Sequence, residues 1–297
     1  MARIKLIVTG DMEKLALHES LKRLFPEQRN GKKVTWDTPQ KVQGATSCRL
    51  QPLSPERSPS KPMVALATAM IAEVMAGKTG SPADLVVVID DVELSNLGQE
   101  KLVAEHFREA VNLAITNRKN KDMPEAEIRG ILRERCSFHL LKPMVESYLF
   151  GDLNALGTAG VPANVHPRLI HQTDVEEFET NDTDWLSTCR LQNEAKKGEG
   201  KPWWRHECHP KHYLEYLAQR VDKAYIYEET KHGKDALLTL DWRQVPKVRT
   251  DIPIIGSLFE DIAEWFDIPN PIQCQTHPTF YASGTMDQAE LLLRNLG

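Results

Sequence analysis

The sequence predicts an α/β protein in which helices flank a small, mainly parallel sheet. Leu85 to Ile89 is a continuous apolar run of strand length, which is typical of a strand covered on both faces. A helical pattern lies on each side of this run along the chain. Ile4 to Thr9 is a second strand pattern, and it also leads through a turn into a helix. This alternation is expected of parallel crossover units.

The elements follow in chain order from the N-terminal strand. After the turn at Gly10-Asp11, a first helix is predicted from apolar residues at helical spacing, namely Leu17, Leu21, Leu24 and Phe25. Pro26 to Pro62 is rich in Pro, Ser and Gly, which predicts short strands and a mobile loop. Met63 to Met75 is predicted to be a helix closed by Gly77.

Further elements follow the central apolar run. Apolar residues four apart predict a helix, namely Val103, Phe107, Val111 and Ile115. Asp122 with Glu125 resembles a capping box for a helix that ends near Arg133. Cys136 to Leu141 is predicted to be another buried strand, and Pro143 to Gly151 a helix that begins at its proline.

The C-terminal half is predicted to be mainly helical. Pro210 begins a helix whose apolar face carries Leu214, Leu217 and Val221. Two more helices are predicted over Ile254 to Phe266 and Thr285 to Asn295.

We therefore predict a chain with three parts. These are an α/β core over residues 1–152, an acidic, loop-rich insertion over 153–202, and a helical part over 203–297 that completes the same domain. The crowded acids and the loop-like pattern of residues 153–202 predict an insertion or flexible surface.

Composition places the chain among ordinary globular proteins. Its 297 residues are 41% apolar and 27% charged, and a net charge of −5 excludes a uniformly basic protein that coats nucleic acid. The five cysteines are scattered, which argues against a disulfide framework. The first residues do not resemble a signal peptide, and no apolar run approaches the roughly 18 residues of a membrane helix. We expect a soluble, cytoplasmic protein without membrane contact.

Acidic residues follow both strand patterns. Asp90, Asp91 and Glu93 end the central run, and Glu13 follows the first strand. If the two strands are neighbours, these acids meet at the carboxyl edge of the sheet, where ligands bind in α/β proteins. Such oxygen clusters suit Mg²⁺ or Mn²⁺, which can drive phosphodiester hydrolysis. The alternative is that the acids only end strands and cap helices.

Several short motifs in this order carry a family resemblance. They are Ile7 to Glu13, Val86 to Asp91, Pro143 to Asp152 and Tyr227 to Gly233. With these motifs the chain resembles a Toprim-like family, in particular uncharacterised bacterial proteins encoded beside ATPases of the overcoming-lysogenization-defect type in phage-defence contexts. The resemblance implies a Toprim-like sandwich, with the loop-rich insertion and the helical C-terminal part added to it.

The resemblance also implies Mg²⁺ bound by an acid after the first strand and by an acid pair after a later one. Thr9 stands where the family pattern places glutamate, so that role passes to Glu13 or is lost. The later pair reads Asp91-x-Glu93, with Asp90 preceding it. Glu146 is a further catalytic candidate, because the family has a glutamate in a similar Pro-x-x-Glu setting.

Residues 206–212 combine histidine, cysteine and lysine. Their short spacing allows a structural Zn²⁺ site completed by distant residues, namely Cys136, His139 or Cys189, but it matches no standard zinc spacing. The favoured interpretation is that His209 and Lys211 contact phosphate at the start of the helix, where free N–H groups attract anions.

A second basic segment contains Lys231 and Lys234. Such a turn can bind a nucleic-acid phosphate, and Trp242 or the pair Trp203-Trp204 can stack on a base. A solvated loop beside core tryptophans is the equal alternative. Because the net charge is negative, any nucleic-acid contact must be a local basic patch.

These patterns predict a Toprim-like, Mg²⁺-dependent nuclease or nuclease-derived effector of a bacterial defence system. Its catalytic and metal-binding candidates are Glu13, Asp90, Asp91 and Glu93, with Glu146 as a further catalytic residue. The sequence contains no Walker A motif, so nucleotide hydrolysis is expected from an ATPase partner. The alternative is a catalytically inactive interaction subunit that binds a partner protein, which the threonine at position 9 favours.

Overall fold

A computed structural model describes residues 1–75, 80–118, 123–197, 206–281 and 291–297. Its centre is a sheet with the strand order β2-β3-β1-β5-β6, in which β4 also pairs with β1. The strands are β1 (Ala2–Val8), β2 (Gln28–Arg29), β3 (Lys32–Trp36), β4 (Gln40–Lys41), β5 (Leu85–Asp91) and β6 (Cys136–Leu141).

The sheet is mainly parallel, as the sequence predicted. β1 pairs in parallel with β3, β4 and β5, and β5 pairs in parallel with β6, whereas β2 is antiparallel to β3. The register places Val8 beside Ile89, and Ile89 beside His139. The carboxyl ends of β1, β5 and β6 therefore lie at one edge of the sheet.

β5 is buried on both faces, which explains its continuous apolar sequence. Alternate side chains belong to two different hydrophobic clusters, with Val87 in one and Val88 in the other. Helices cover both faces. They are α1 (His18–Lys22, preceded by a π-helical turn over Glu13–Leu17), α2 (Lys61–Met75), α3 (Glu100–Thr116), α4 (Glu125–Arg135), α5 (Glu146–Leu149), α6 (Leu153–Thr158), α7 (Thr183–Lys197), α8 (Pro210–Ala218), α9 (Lys234–Thr239, preceded by a π-helical turn over Glu229–Gly233) and α10 (Pro253–Phe266).

The two faces are covered by different parts of the chain. α2, α3 and α4 supply the cluster that contains Val88, whereas α1, α8, α9 and most of α10 supply the cluster that contains Val87. None of the helices in the described ranges is long and apolar enough to cross a bilayer.

The predicted strands that correspond to β1, β5 and β6 are confirmed. The predicted helices that correspond to α2, α3, α4 and α10 are also confirmed, with ends that differ from the prediction by a few residues. Long periodic patterns and strand-length apolar runs are the strongest local signals. Gly77 and Asp122, which were predicted to close α2 and to cap α4, lie outside the described residues.

Four helix predictions are wrong in part. Leu24 and Phe25, which were predicted to lie on the first helix, follow the end of α1 at Lys22. Between Pro143 and Gly151 only Glu146–Leu149 is α-helical. Val221 lies beyond the end of α8 and is 66% exposed, so it does not share the apolar face of that helix. Leu291 to Asn295 is not helical, because Leu293 and Leu296 pair in an isolated bridge; the residues before position 291 in that prediction lie outside the described ranges.

The segment 153–202 is not simply loop and surface. It contains α6 and α7, and Trp185 and Cys189 of α7 are buried in the same cluster as residues of β1. Glu176 is also buried and accepts hydrogen bonds from the N–H groups of Ile254 and Ile255, at 2.9 and 2.7 Å. The prediction of flexible surface is wrong here, because this acid caps the first turn of α10. Where the boundaries between the three parts lie stays a prediction.

Candidate functional site

Six carboxylates line one cavity of about 250 Å³ at the carboxyl edge of the sheet. We call it the acidic cavity, and its acids are Glu13, Asp90, Asp91, Glu93, Glu146 and Glu229. Thr9, Gly10, Thr46, Ser47, His209 and Lys211 are also among its lining residues. The predicted acids are thus brought together, because they follow β1, β5 and β6, whose carboxyl ends meet at this edge.

Glu13 lies in the first turn after β1 and is 3% exposed. A Cβ at position 10 would overlap its carboxylate, so Gly10 makes room for the side chain to lie against the turn. No other described residue is seen to donate a hydrogen bond to it. Burial raises the pKa of Glu13 to about 8, and the nearby charges of Glu146 and Glu229 add to this.

Asp90 is held by protein donors on both of its oxygens. Its Oδ1 accepts from Thr9 Oγ1 at 2.6 Å and from the N–H of Asp91 at 3.0 Å, and its Oδ2 accepts from the N–H of Ala45 at 3.2 Å. Burial raises its pKa to about 6, and these hydrogen bonds oppose the increase. Asp90 therefore ties the end of β1 and the chain near Ala45 to β5.

Asp91 is held differently. Its Oδ1 is buried and has no hydrogen-bond partner among the described residues, whereas its backbone oxygen accepts from Thr46 Oγ1 at 2.6 Å. Burial raises the pKa of Asp91 well above its usual range, with further increases from the charges of Glu13 and Glu93. A buried carboxylate oxygen without a donor is costly, which makes it a candidate to bind a proton or a cation.

Glu93 has a strained backbone, with φ 62° and ψ 153°. Only glycine adopts this region readily, and such strain is concentrated at functional sites. Its N–H donates to Pro143 O at 2.9 Å, which connects the end of β5 to the chain after β6. Burial and the charge of Asp90 raise the pKa of its carboxyl group.

Glu146 begins α5 and is 4% exposed. Burial raises its pKa to about 7, with a further increase from Glu229, whereas the positive charge of Lys211 opposes the shift. As with Glu13, no side-chain hydrogen bond from another described residue is seen. Glu146 lines the same cavity as the strand-end acids, whereas its predicted catalytic role stays a prediction.

Lys211 and His209, predicted to bind phosphate, also line the acidic cavity. Lys211 forms an ion pair with Glu229, with both side chains about one-third exposed. Burial would lower the pKa of Lys211, but its hydrogen bond with Glu229 and the charge of that acid outweigh this and raise it. Glu229 was not predicted as a site residue, although it belongs to the Tyr227 to Gly233 motif.

The second basic segment does not reach this cavity. Lys231 is exposed, and Lys234 lies 3.5 Å from Asp235 next to it in the chain. Trp242 is buried and donates from its Nε1 to Ser20 Oγ at 2.9 Å, so it is a core residue and not a base-stacking platform. Trp203 and Trp204 lie outside the described residues.

The histidines of residues 206–212 contact one another and nearby backbone. His212 Nδ1 accepts from the N–H of His206 at 3.2 Å, and the rings of His209 and His212 stack with centroids 4.0 Å apart. Cys136 and His139 are buried in β6, and Cys189 is buried in α7. In the described part of the chain, no three His, Cys, Asp or Glu side chains form a ready-made metal-ligand set, either here or in the acidic cavity.

The loop that contributes Gly44, Thr46 and Ser47 to the cavity wall was not predicted as part of the site. Asn96, which is fully buried, accepts from the N–H of Leu50 at 2.8 Å and donates to the carbonyl oxygens of Thr46 and Cys48 at 2.7 and 3.2 Å. This part of the segment predicted to be mobile is therefore held in place. Spacing alone could not reveal the contact, because Asn96 lies about fifty positions away along the chain.

Comparisons with known proteins do not assign this site. No model of a known protein family matches the chain, and neither the curated proteins nor the solved structures contain a match.

Proposed function

We propose that the chain is a Toprim-like, Mg²⁺- or Mn²⁺-dependent phosphodiesterase that acts as a nuclease. One observation carries the proposal: the carboxylates of Glu13 and Glu146, each more than nine-tenths buried, face one cavity, and the only hydrogen bond seen to each from the described residues comes from its own backbone. Asp91 adds a third carboxylate to the same cavity, and its Oδ1 has no hydrogen-bond partner among the described residues.

The carboxylate lining of the cavity suits a divalent cation by its chemistry, although the described side chains form no ready-made ligand set. Several acids in one buried space repel one another, and a cation would offset this repulsion. Mg²⁺ and Mn²⁺ prefer carboxylate oxygens. The proposed ligands are Glu13, Asp91 and Glu93. Asp90 is the least available of the predicted ligands, because three donors already hold its oxygens.

Phosphodiester hydrolysis forms a bond from a water oxygen to phosphorus and breaks the bond to the leaving oxygen. A bound cation would lower the pKa of that water. Glu146, whose own pKa is about 7, accepts the proton of the attacking water. Lys211 contacts a phosphate oxygen and neutralises its charge, while the leaving oxygen takes a proton from solvent.

The size of the cavity favours a phosphodiester within a longer molecule. At about 250 Å³ it is smaller than the roughly 300–1,000 Å³ pockets that enclose drug-sized ligands. A phosphate group with its cations fits such a space, and the remaining nucleotides stay outside. The ATPase partner and the role in bacterial defence are supported by the family resemblance.

Asp91→Asn tests the proposal, because it keeps the shape of the side chain and removes its charge. In the 297-residue protein, this variant is expected to lower the rate of Mn²⁺-dependent cleavage of DNA or RNA at least about a hundredfold. Asp11→Asn is the matched control, since Asp11 is a neighbouring acid that pairs with Lys41 and does not line the cavity.

Calorimetric titration with Mn²⁺ separates this proposal from the interaction subunit. Binding by wild type that Asp91→Asn weakens supports the enzyme. Unchanged cleavage by Asp91→Asn contradicts the assignment of that residue. The inactive interaction subunit is favoured if wild-type protein binds no Mn²⁺ at millimolar concentration.

A further inference from the structure

The acidic cavity contains a cation of its own. Among its described lining residues, Lys211 is the only lysine or arginine, and its Nζ contacts Glu229 Oε1. The pair lies at the wall of a cavity that is lined by five other carboxyl groups. Substrate phosphate would therefore have to compete with Glu229 for Lys211.

The partners of this pair come from separate elements that are each held firmly. Lys211 is in the first turn of α8, directly after Pro210. Glu229 begins the turn Glu229–Gly233, which packs closely because a Cβ at Gly233 would meet Met12 Sδ and the hydroxyl of Tyr227. A side-chain movement of Lys211 is thus enough to change its partner, with no movement of either backbone.

We infer that Lys211 exchanges partners, leaving Glu229 for a phosphodiester oxygen when substrate enters the acidic cavity. The inference rests on the proposed function and adds a role for Glu229. This acid keeps Lys211 paired in the free protein and lowers the affinity of the cavity for anions. Each of the two side chains is about one-third exposed. Because ion pairs with this exposure contribute little free energy, little free energy is needed to separate this one.

The test is a double-mutant cycle read out by binding. The probe is a fluorescein-labelled, single-stranded oligonucleotide with phosphorothioate linkages. It is made as DNA and as RNA and is added to the 297-residue protein in Mg²⁺ buffer. Glu229→Gln is expected to tighten binding about two- to fivefold. Lys211→Met is expected to weaken it about ten- to a hundredfold.

The double variant decides between exchange and a general charge effect. If Lys211 exchanges partners, Glu229→Gln does not increase the affinity for the oligonucleotide when Lys211→Met is already present. An equal gain in both backgrounds overturns the inference, and so does a complete lack of binding by both wild type and Glu229→Gln. Glu228→Gln and Lys223→Met are matched controls, because both residues are exposed and lie outside the cavity wall.

This binding assay does not depend on cleavage. Failure of the proposed function appears as intact natural-backbone DNA and RNA, whereas failure of the exchange appears as additive effects in the cycle. An exchange also predicts that Glu229→Gln lowers KM in any cleavage assay while Lys211→Met raises it.

Discussion

At the scale of single residues, Glu93 combines an unfavourable backbone with a charge in the cavity. Its φ of 62° and ψ of 153° lie where glycine is the usual residue, yet its side chain lines the acidic cavity. The hydrogen bond from its N–H to Pro143 O helps to keep the chain in this conformation. A glycine here would relieve the strain but would also remove the carboxylate. Glutamate at this position therefore keeps a carboxylate in the cavity and lowers the stability of the fold.

We expect Glu93→Gly to be more stable than Glu93→Ala by about 1–3 kcal/mol in the free energy of unfolding. Both variants remove the carboxylate, and only glycine relieves the backbone strain. Urea denaturation of the two proteins measures the difference. Equal stabilities would contradict the strain, and both variants are expected to bind Mn²⁺ more weakly than wild type.

At the scale of elements, the last residues of the chain cover the free edge of β6. The side-chain amide of Asn295 donates to Phe138 O at 2.7 Å and accepts from the N–H of Phe138 at 3.1 Å. It thus takes the place of the backbone of a neighbouring strand. Arg294 donates to Asp261 Oδ1 of α10 at 2.9 Å. Burial alone would raise the pKa of Asp261, but the charge of Arg294 and the hydrogen bond with His139 outweigh this and hold the pKa well below its usual range. The C-terminal segment thus joins the sheet edge to α10.

Arg294→Met is expected to lower the free energy of unfolding by about 3–5 kcal/mol, because it leaves the fully buried carboxylate of Asp261 without its main counterion. Denaturation in urea at neutral pH measures the loss. Adding Asp261→Asn should recover part of it, since the uncompensated charge is then gone. A double variant that is no more stable than Arg294→Met would indicate that lost packing, and not charge, dominates.

At the scale of the whole molecule, two hydrophobic clusters on the faces of the sheet stabilise a fold that buries a group of acids. Burial and mutual repulsion raise the pKa of Glu13 to about 8 and that of Glu146 to about 7, so the folded protein holds protons that the unfolded chain would release. Ionising these acids in the folded protein therefore lowers the free energy of unfolding of the whole domain.

We expect the free energy of unfolding to fall as pH rises from about 5 to 8 in the absence of divalent cations. Over this range the folded state binds more protons than the unfolded state, so stability decreases with pH until the folded pKa values are passed. Urea denaturation across this pH range measures the slope. Glu13→Gln should flatten it, whereas the control Asp11→Asn should not, and an unchanged slope in Glu13→Gln would contradict the shift assigned to this residue.

Much of the site framework was predictable from local sequence. Asp90, Asp91 and Glu93 directly follow an apolar strand, and Glu13 follows the turn at Gly10, so both groups are expected at a sheet edge. The roles within the group were not predictable. Asp90 and Asp91 are adjacent in sequence, but the first is fully hydrogen-bonded and the second is not, because Ala45 and Thr9 approach only one of them.

The sequence by itself determined the strands, most of the long helices and the acids that end β1 and β5, because periodicity and burial act over a few residues. Only the tertiary structure brought Lys211 to Glu229, which is eighteen positions away, and kept Lys231 outside the cavity. It also made Glu176 a helix cap within a segment that reads as acidic surface. Such contacts depend on how whole elements pack across the sheet, and no local pattern specifies that packing.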